Sequence, residues 1–370
     1  MLTKTQISVL KSKAQRYGHT SVKDFKAKGD SKAVDLGYLH EAVDFIQNHT
    51  EGQGELYFPN GVYRINNTFK IGGQSVTAAD ALLYQANRTQ GEGKAPSFDI
   101  NEHLTSGRTL PISLKFSPRA FIFGDFHTDE LTPIISYGCY AYQYAGVATQ
   151  STFITGLKVF GRNGLDQNAR GDGGNQVGLL MTGGDDITLS NCRFYGLQDG
   201  LIHNICYNNL LQNIKFNNCE RGMMTLGSHS STGILLKADH CRIGFEINSG
   251  ATSWQQINSE QSNRALQIGA SNVVVNGGYM EQLDRIDNET EYQLTIGYSN
   301  SHPFGQQQLL RDVEVNGLVI SSHNQRHILI EDQVERCKVN TTMEYGYNVY
   351  NNPNTKITSE NIVWELNSKE

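Results

Sequence analysis

The amino-acid sequence predicts an all-β chain wound into a parallel β-helix, and a repeated phrase is the first observation that indicates it. Three phrases share one pattern and a fourth follows about one period later: Leu-Ser-Asn-Cys-Arg-Phe (189–194), Phe-Asn-Asn-Cys-Glu-Arg (216–221), Ala-Asp-His-Cys-Arg-Ile (238–243) and Ile-Asn-Ser-Glu-Gln-Ser (257–262). Their cysteines, Cys192, Cys219 and Cys241, are 27 and 22 residues apart. Apolar and polar residues alternate before each Asn or Asp, as in strands with one buried side. This period is typical of a solenoid of stacked coils.

Composition agrees with many short strands joined by tight corners. The 370 residues include 37 Gly and only 7 Pro, and corners repeatedly need the left-handed backbone that Gly and Asn tolerate. A propeller blade is longer than this period, and a leucine-rich repeat needs regularly spaced leucines that the chain lacks. A solenoid grows by adding coils, so one elongated body is expected.

Charge and cysteine content exclude several classes of function. The net charge of -6 argues against a general nucleic-acid binder, and an acidic substrate would need locally clustered basic residues. The six cysteines contain no C-x-x-C pair, so we predict free thiols stacked inside the coils, with no metal site and no cofactor. The N-terminus lacks a signal-peptide core and no 18-residue apolar run occurs, so we predict neither a secretion signal nor membrane insertion.

The elements follow in order along the chain. Residues 1–20 are polar and are predicted to form a linker or short helix, residues 21–345 the β-helix, and residues 346–370 a C-terminal extension. Residues 22–30 are predicted as a strand, Asp35 as a helix N-cap, and residues 36–48 as an amphipathic helix with Leu39, Ala42, Val43 and Ile46 on its apolar face. Residues 56–65 are predicted as strand, turn and strand, and residues 72–110 as an insertion.

The rest of the body is predicted as nearly continuous coils. Strands are expected at 178–181, 187–194, 201–204, 210–216, 223–226, 234–238, 244–248, 254–258, 265–268, 273–275 and 293–296. A lone helix before such a stack has a clear purpose, because terminal coils expose unpaired edges that other strands could join. We therefore predict that the helix caps the N-terminal end.

The beginning of this body resembles a known family. The phrase Ser-Val-Lys-Asp-Phe at 21–25 with Gly29-Asp30, then Asp35 and a helix, then Tyr57-Phe58-Pro59 and Gly61, is similar to the start of the pectate-lyase-like parallel β-helix superfamily. It is closest to the branch of bacteriophage tailspikes and capsule depolymerases. Lys26 departs from the family, which usually has Gly there. The chain also starts almost at this motif, so an anchoring segment is expected to be truncated or supplied by another chain.

The resemblance implies a right-handed single-stranded β-helix that usually forms a homotrimer on the virion tail. It implies a glycan depolymerase that binds and cleaves a bacterial surface polysaccharide, namely a capsule, exopolysaccharide or O-antigen. The reaction stays open, because the superfamily includes hydrolases, lyases, epimerases and modules that only bind, and fold alone does not choose among them.

Three carboxylates recur at the coil period. Asp239, Glu260 and Glu281 are each 21 residues apart, so they are predicted to form a column on neighbouring coils. Parallel strands lie about 4.8 Å apart, which approaches the ~5–5.5 Å between the carboxyl groups of retaining glycosidases, and two coils approach the ~6.5–9.5 Å of inverting ones. The column is therefore our candidate catalytic site. Solvated turn residues aligned by chance are the alternative, and Glu281 also fits a structural role at a corner.

Four further residues are candidate substrate-binding groups. Trp254 is predicted to stack on a sugar ring or, equally, to pack in the core. Tyr279, Arg264 and His240 fall in the same coils, and with Lys237 and Arg242 they leave open a lyase that uses one of them as the base. We therefore predict glycoside hydrolysis by paired carboxylates, with a uronate lyase or a non-catalytic glycan-binding module as alternatives.

Overall fold

The computed structural model describes residues 2–50, 54–71, 112–138, 152–162, 175–182, 186–204, 206–282, 292–297, 310–322, 328–330, 334–344 and 362–368. The predicted insertion at 72–110 lies outside these residues. The helices in this part of the chain are α1 (Lys4–Tyr17) and α2 (Leu36–His49), with a short 3-10 helix at Val22–Phe25.

Twenty-six strands wind into a parallel solenoid, and nine of them form one continuous sheet, which we name the third face. Its members are β5 (Phe69–Ile71), β8 (Thr132–Gly138), β11 (Gln176–Thr182), β14 (Asp199–Asn204), β16 (Arg221–Leu226), β18 (Ile243–Asn248), β20 (Arg264–Ile268), β22 (Leu294–Ile296) and β24 (Ile328–Ile330). Each strand pairs in parallel with the strand of the next coil.

The other seventeen strands form two rows that merge into long strands. They are β1 (Thr20–Ser21), β2 (Asp30–Val34), β3 (Glu55–Phe58), β4 (Gly61–Ile65), β6 (Ser113–Phe116), β7 (Ala120–Gly124), β9 (Thr152–Thr155), β10 (Lys158–Phe160), β12 (Ile187–Ser190), β13 (Arg193–Tyr195), β15 (Leu210–Asn217), β17 (Thr232–Asp239), β19 (Thr252–Glu260), β21 (Val273–Gln282), β23 (Leu310–Ser322), β25 (Val334–Glu344) and β26 (Ile362–Ser368).

The coil runs through these rows in a fixed order. The first face contains β1, β3, β6, β9 and β12, and the second face contains β2, β4, β7, β10 and β13. Both β12 and β13 pair with β15, so from that coil onward one long strand supplies the first face with its first half and the second face with its second half. The third face then closes the coil. The predicted parallel β-helix with an N-terminal helix is therefore confirmed.

Left-handed residues stack at the corners. Between the first and second faces, Asn191, Asn213, Leu235 and Gln256 have φ of 57°, 52°, 57° and 53°. Between the second and third faces, Gly196, Asn218, His240 and Gln261 have φ of 59°, 53°, 55° and 54°. Asn and Gly suit these positions because their side chains tolerate this backbone region, which accounts for the composition of the chain.

The recurring cysteines lie in the core, but not in one column. All three are buried free thiols, and burial is the largest cause of the raised pKa of Cys192, about 12. Asn217 pairs with Asp239, so Cys219 and Cys241 occupy equivalent corners of adjacent coils. Cys192 precedes Arg193, which pairs with Lys215, so it aligns with Ile214 instead. The 27-residue spacing is thus not a coil length, whereas 22 is.

The N-terminal helix caps the stack as predicted. Its apolar face is buried, with Leu39, Ala42, Val43 and Ile46 at most 3% exposed, and α2 packs against β1, β3, β5 and the 3-10 helix. The apolar residues of the helix therefore cover the open end of the core and keep it from solvent.

Two predictions about the entry to this helix are wrong. Residues 22–25 form the 3-10 helix instead of a strand, and Ser21 caps it by accepting from the N–H of Lys23. Asp35 precedes α2, but its buried carboxylate makes no cap bond to the helix and accepts instead from the N–H groups of Lys28 at 2.6 Å and Gly29 at 2.9 Å. The carboxylate therefore fixes the preceding loop.

Both ends of the chain contribute regular structure. α1 occupies most of the segment assigned to a linker or short helix, and a capping box between Thr3 and Gln6 begins it. β26 lies in the segment assigned to a C-terminal extension and pairs in parallel with β25. The stack of strands therefore continues into that segment.

A column of glycines makes room for core aromatic rings. Gly178, Gly200, Gly222 and Gly244 occupy equivalent positions on the third face, facing inward. A Cβ at Gly222 would lie 2.5 Å from the Gly244 carbonyl oxygen and 3.1 Å from Cβ of Phe216. Phe194 and Phe216 stack beside this column with centroids 5.4 Å apart.

Gly222→Ala is expected to destabilise the protein by about 1–3 kcal/mol, because the added methyl group meets backbone that the next coil holds in place. Thermal unfolding followed by circular dichroism measures the effect. Gly37→Ala in α2 is the matched control, since a Cβ there meets nothing within 4 Å and Ala favours a helix over Gly. An unchanged midpoint for Gly222→Ala would show that the coils can separate locally.

Candidate functional site

Outward side chains of the second face form two parallel columns. We name as the carboxylate column the residues Phe160, Tyr195, Asn217, Asp239, Glu260 and Glu281, which occupy equivalent positions on successive coils. We name as the basic column the residues two positions earlier, Lys158, Arg193, Lys215 and Lys237, which Asn258 and Tyr279 continue. The residues between the two columns, such as Phe194, Phe216 and Ala238, are fully buried.

The three predicted carboxylates are in direct register. Asp239 pairs with Glu260 and Glu260 pairs with Glu281, so neighbouring members lie one strand spacing apart, about 4.8 Å at the backbone. The side chains of Asp239 and Glu260 are 26% and 34% exposed. The column is therefore open to a ligand in solution, and its spacing suits a pair of acid and base groups.

Basic side chains adjoin two of these carboxylates. Lys237 Nζ lies 2.7 Å from Glu260 Oε1, and His240 Nδ1 lies 2.6 Å from Asp239 Oδ1. Asp239 Oδ2 also accepts from Asn217 Nδ2 at 3.2 Å. The left-handed corner residue His240 thus has its ring oriented by Asp239, an arrangement that leaves Nε2 to exchange a proton with a ligand.

The structure separates the other predicted binding residues. Tyr279 lies on the second face, half-buried, and its N–H donates to Asn258 Oδ1 at 3.0 Å. Arg264 begins β20 on the third face, around the corner from the column, and donates to Gln267 Oε1. Five of the seven predicted site residues, Asp239, Glu260, Glu281, His240 and Tyr279, therefore lie along the second face or at its corner.

The prediction that Trp254 stacks on a sugar is wrong. Trp254 is 0% exposed, points into the core from the first face, and donates from Nε1 to Thr252 Oγ1 at 2.9 Å. Gly233 on the preceding coil leaves the space for its ring, because a Cβ there would lie 2.2 Å from Trp254 Cε3. The alternative of core packing applies.

Sequence reasoning missed the aromatic end of the second face. The rings of Phe160 and Tyr195 stack with centroids 4.6 Å apart and planes 6° from parallel, and Phe121 lies 5.2 Å from Phe160. These rings share the face of the carboxylates. Their spacing gave no signal, because 35 residues separate Phe160 from Tyr195, so the coil period is not visible there.

A second acidic cluster, also not predicted as a site, lies on the third face. Arg221 donates to Asp199 Oδ1 at 2.5 Å and to Glu246 Oε2 at 2.7 Å, and these three side chains are 16%, 2% and 0% exposed. Burial opposes the charge of Arg221, but the two carboxylates outweigh it and raise its pKa above the ordinary value. Because the carboxylates are shielded from solvent, this cluster is an internal ionic network.

Arg221→Met is expected to lower the free energy of unfolding by about 3 kcal/mol or more, because it leaves two carboxylates buried without their cation. Arg311→Met is the control, since Arg311 pairs with Glu335 at the surface, where the side chains are 52% and 43% exposed. Thermal and chaotrope unfolding of both variants provide the measurement. Equal midpoints would mean that the Arg221 cluster is open to water.

Searches for other site types gave two negative findings for the described residues. No three His, Cys, Asp or Glu side chains converge there as a metal site would need. Neither described helix has the length and apolar character to span a bilayer.

Comparison of the coordinates with solved structures agrees with the winding of the coils. The chain matches ORF18 of Geobacillus virus E2 with a TM-score of 0.61 and 11% identity, covering 92% of this chain and 60% of that one. It matches a tailspike protein of E. coli bacteriophage HK620 with a TM-score of 0.60 and 12% identity, covering 97% and 68%. The fold is the right-handed parallel β-helix.

An endo-xylogalacturonan hydrolase from Aspergillus tubingensis shares this β-helix with a TM-score of 0.56 and 14% identity, covering 92% of this chain and 91% of that one. This chain spans less than two thirds of the length of the Geobacillus virus protein. No protein-family model and no curated protein matches the sequence. At these identities the likeness concerns the right-handed β-helix and not the chemistry that each protein performs.

Proposed function

We propose that this protein binds a bacterial surface polysaccharide along its second face and hydrolyses glycosidic bonds in it with the carboxylate column. The observation that carries the proposal is the register of Asp239, Glu260 and Glu281 on an exposed face that continues into stacked aromatic rings. Carboxyl pairs perform glycoside hydrolysis, and aromatic rings provide platforms for sugars. The β-helix shared with a phage tailspike and a pectic-glycan hydrolase supports the same class of substrate.

Hydrolysis requires one carboxyl group that protonates the leaving oxygen and a second that attacks the sugar or activates water. Retaining enzymes hold the two groups ~5–5.5 Å apart and inverting enzymes ~6.5–9.5 Å apart. Neighbouring coils at about 4.8 Å approach the first distance. Glu260 is decisive because it has a carboxylate neighbour on both sides and belongs to either adjacent pair.

Glu260→Gln is expected to lower the rate of cleavage by ~10²-fold or more while circular dichroism and glycan binding stay intact, because an amide neither donates nor accepts the proton. New reducing ends from a panel of purified capsules, exopolysaccharides and O-antigens measure the rate. Glu314→Gln is the matched control, because Glu314 is also an exposed strand carboxylate beside a lysine, with Lys338 Nζ at 3.7 Å. Asp239→Asn and Glu281→Gln should match Glu260→Gln only where they share the site.

Glu246→Gln distinguishes the two acidic clusters. Unchanged turnover in the three column variants, together with lost turnover in a folded Glu246→Gln protein, would contradict the column and assign the chemistry to the third face. Loss of thermal stability with normal turnover of the folded fraction would agree with an internal network there.

A lyase is a second candidate, and the pair of His240 and Asp239 favours it. The imidazole is held at 2.6 Å by the carboxylate and is 41% exposed, as a base abstracting a proton beside a uronate would be. Ultraviolet absorbance from an unsaturated uronate would identify this reaction, whereas new reducing ends without it indicate hydrolysis. Binding without either product would indicate a glycan-binding module.

We propose that the protein acts as a homotrimer on a phage tail, with its virion anchor supplied by another segment or chain. The likeness to a tailspike structure supports this, and open solenoids can associate side by side. Light scattering at micromolar concentration is expected to give the mass of three chains. A monomer mass would contradict the trimer without affecting the column.

A further inference from the structure

The basic column places four cations in a row on an acidic protein. Lys158 pairs with Arg193, Arg193 with Lys215, and Lys215 with Lys237, so successive charges are one strand spacing apart, about 4.8 Å at the backbone. Like charges directly opposite each other destabilise a sheet. The chain carries a net charge of -6, so this row is a local concentration of positive charge.

Only the ends of the row have printed partners of their own. Lys237 pairs with Glu260, and Lys158 lies 4.9 Å from the centroid of the Phe121 ring and donates to the Pro118 carbonyl. Burial, followed by the charge of Arg193, lowers the pKa of Lys158. In the described part of the chain the side chains of Arg193 and Lys215 form no ion pair or hydrogen bond. Two central cations are therefore available to an anion.

Each cation stands beside a member of the carboxylate column. Arg193 and Tyr195, and likewise Lys215 and Asn217, are two residues apart on one strand and face outward together, a separation of about 6.6 Å at a strand rise of ~3.3 Å per residue. A sugar ring stacked on the rings of Tyr195 and Phe160 would therefore place an acidic substituent within reach of Arg193 or Lys215.

We infer that the ligand of the second face is an anionic polysaccharide that lies along the solenoid axis, with its acidic groups paired to Arg193 and Lys215. This inference rests on the proposed function and adds the charge class of its substrate. The shared chemistry is an acidic group borne on a sugar polymer, whether carboxylate or sulfate. A nucleic acid fits this face less well, because Asp239 and Glu260 would repel phosphates along the next coils.

Binding to defined oligosaccharides tests the inference without requiring cleavage. Calorimetry in the Glu260→Gln background uses oligogalacturonate as the carboxylate probe, sulfated galactan oligosaccharides as the sulfate probe, and neutral glucan oligosaccharides. We expect binding of at least one anionic probe and none of the neutral one. Arg193→Gln or Lys215→Gln should weaken binding by about tenfold, since charge-assisted contacts are lost, and should reduce its salt dependence.

Lys115→Gln is the control, because Lys115 is an exposed strand lysine of the first face, 53% exposed, outside both columns. Comparing all variants in one background cancels the charge change at Glu260. Equal binding of the neutral probe, no binding of either anionic probe, unaltered affinity in Arg193→Gln and Lys215→Gln, or equal binding of a single-stranded oligonucleotide would each overturn the inference. Cleavage by Glu260→Gln at the wild-type rate would instead contradict the proposed catalytic residue and leave the charge class standing.

Discussion

The in-register parallel pairing of successive coils is the constraint on which the rest of the structure depends. Once β15, β17, β19 and β21 pair without shifts, every position of a coil lies directly under its equivalent in the next. A residue type that suits one coil is then required in its neighbours. The left-handed corners and the glycines facing Phe194 and Phe216 are consequences of this repetition, because a side chain that disturbs one coil displaces the backbone of the next.

The same constraint organises the chemistry as columns instead of a pocket. Carboxylates one coil apart, cations one coil apart and stacked rings all extend along the axis, which is the direction in which a polymer would lie. Columns of like charge oppose folding, and the structure offsets part of this by pairing across columns, as between Lys237 and Glu260. Where no such partner stands nearby, at Arg193 and Lys215, an external anion is the remaining means of compensation.

Sequence reasoning succeeded where the coils have equal length and failed where they do not. The 21-residue spacing of Asp239, Glu260 and Glu281 is one coil, so their register could be predicted, as could the strands from 187 to 268 and the capping helix. Cys192 misled because a spacing of 27 residues crosses a corner instead of a coil. The inward direction of Trp254 depends on the space at Gly233, and the stack of Phe160 on Tyr195 depends on a longer coil. Both are contacts between coils that no local pattern encodes.

The two acidic clusters show how one scaffold separates stability from binding. On the third face, Asp199 and Glu246 are shielded and share Arg221, so removing the cation would leave charges that water cannot solvate. On the second face, Asp239 and Glu260 keep a quarter to a third of their side-chain surface in solvent, so a change of partner there is inexpensive. A group that must exchange a proton with a ligand needs this freedom, since a carboxylate locked in a buried ion pair neither reaches a glycosidic oxygen nor gives up its cation without unfolding its surroundings. The exposed column therefore suits turnover, and the buried network suits the alignment of the coils that hold it.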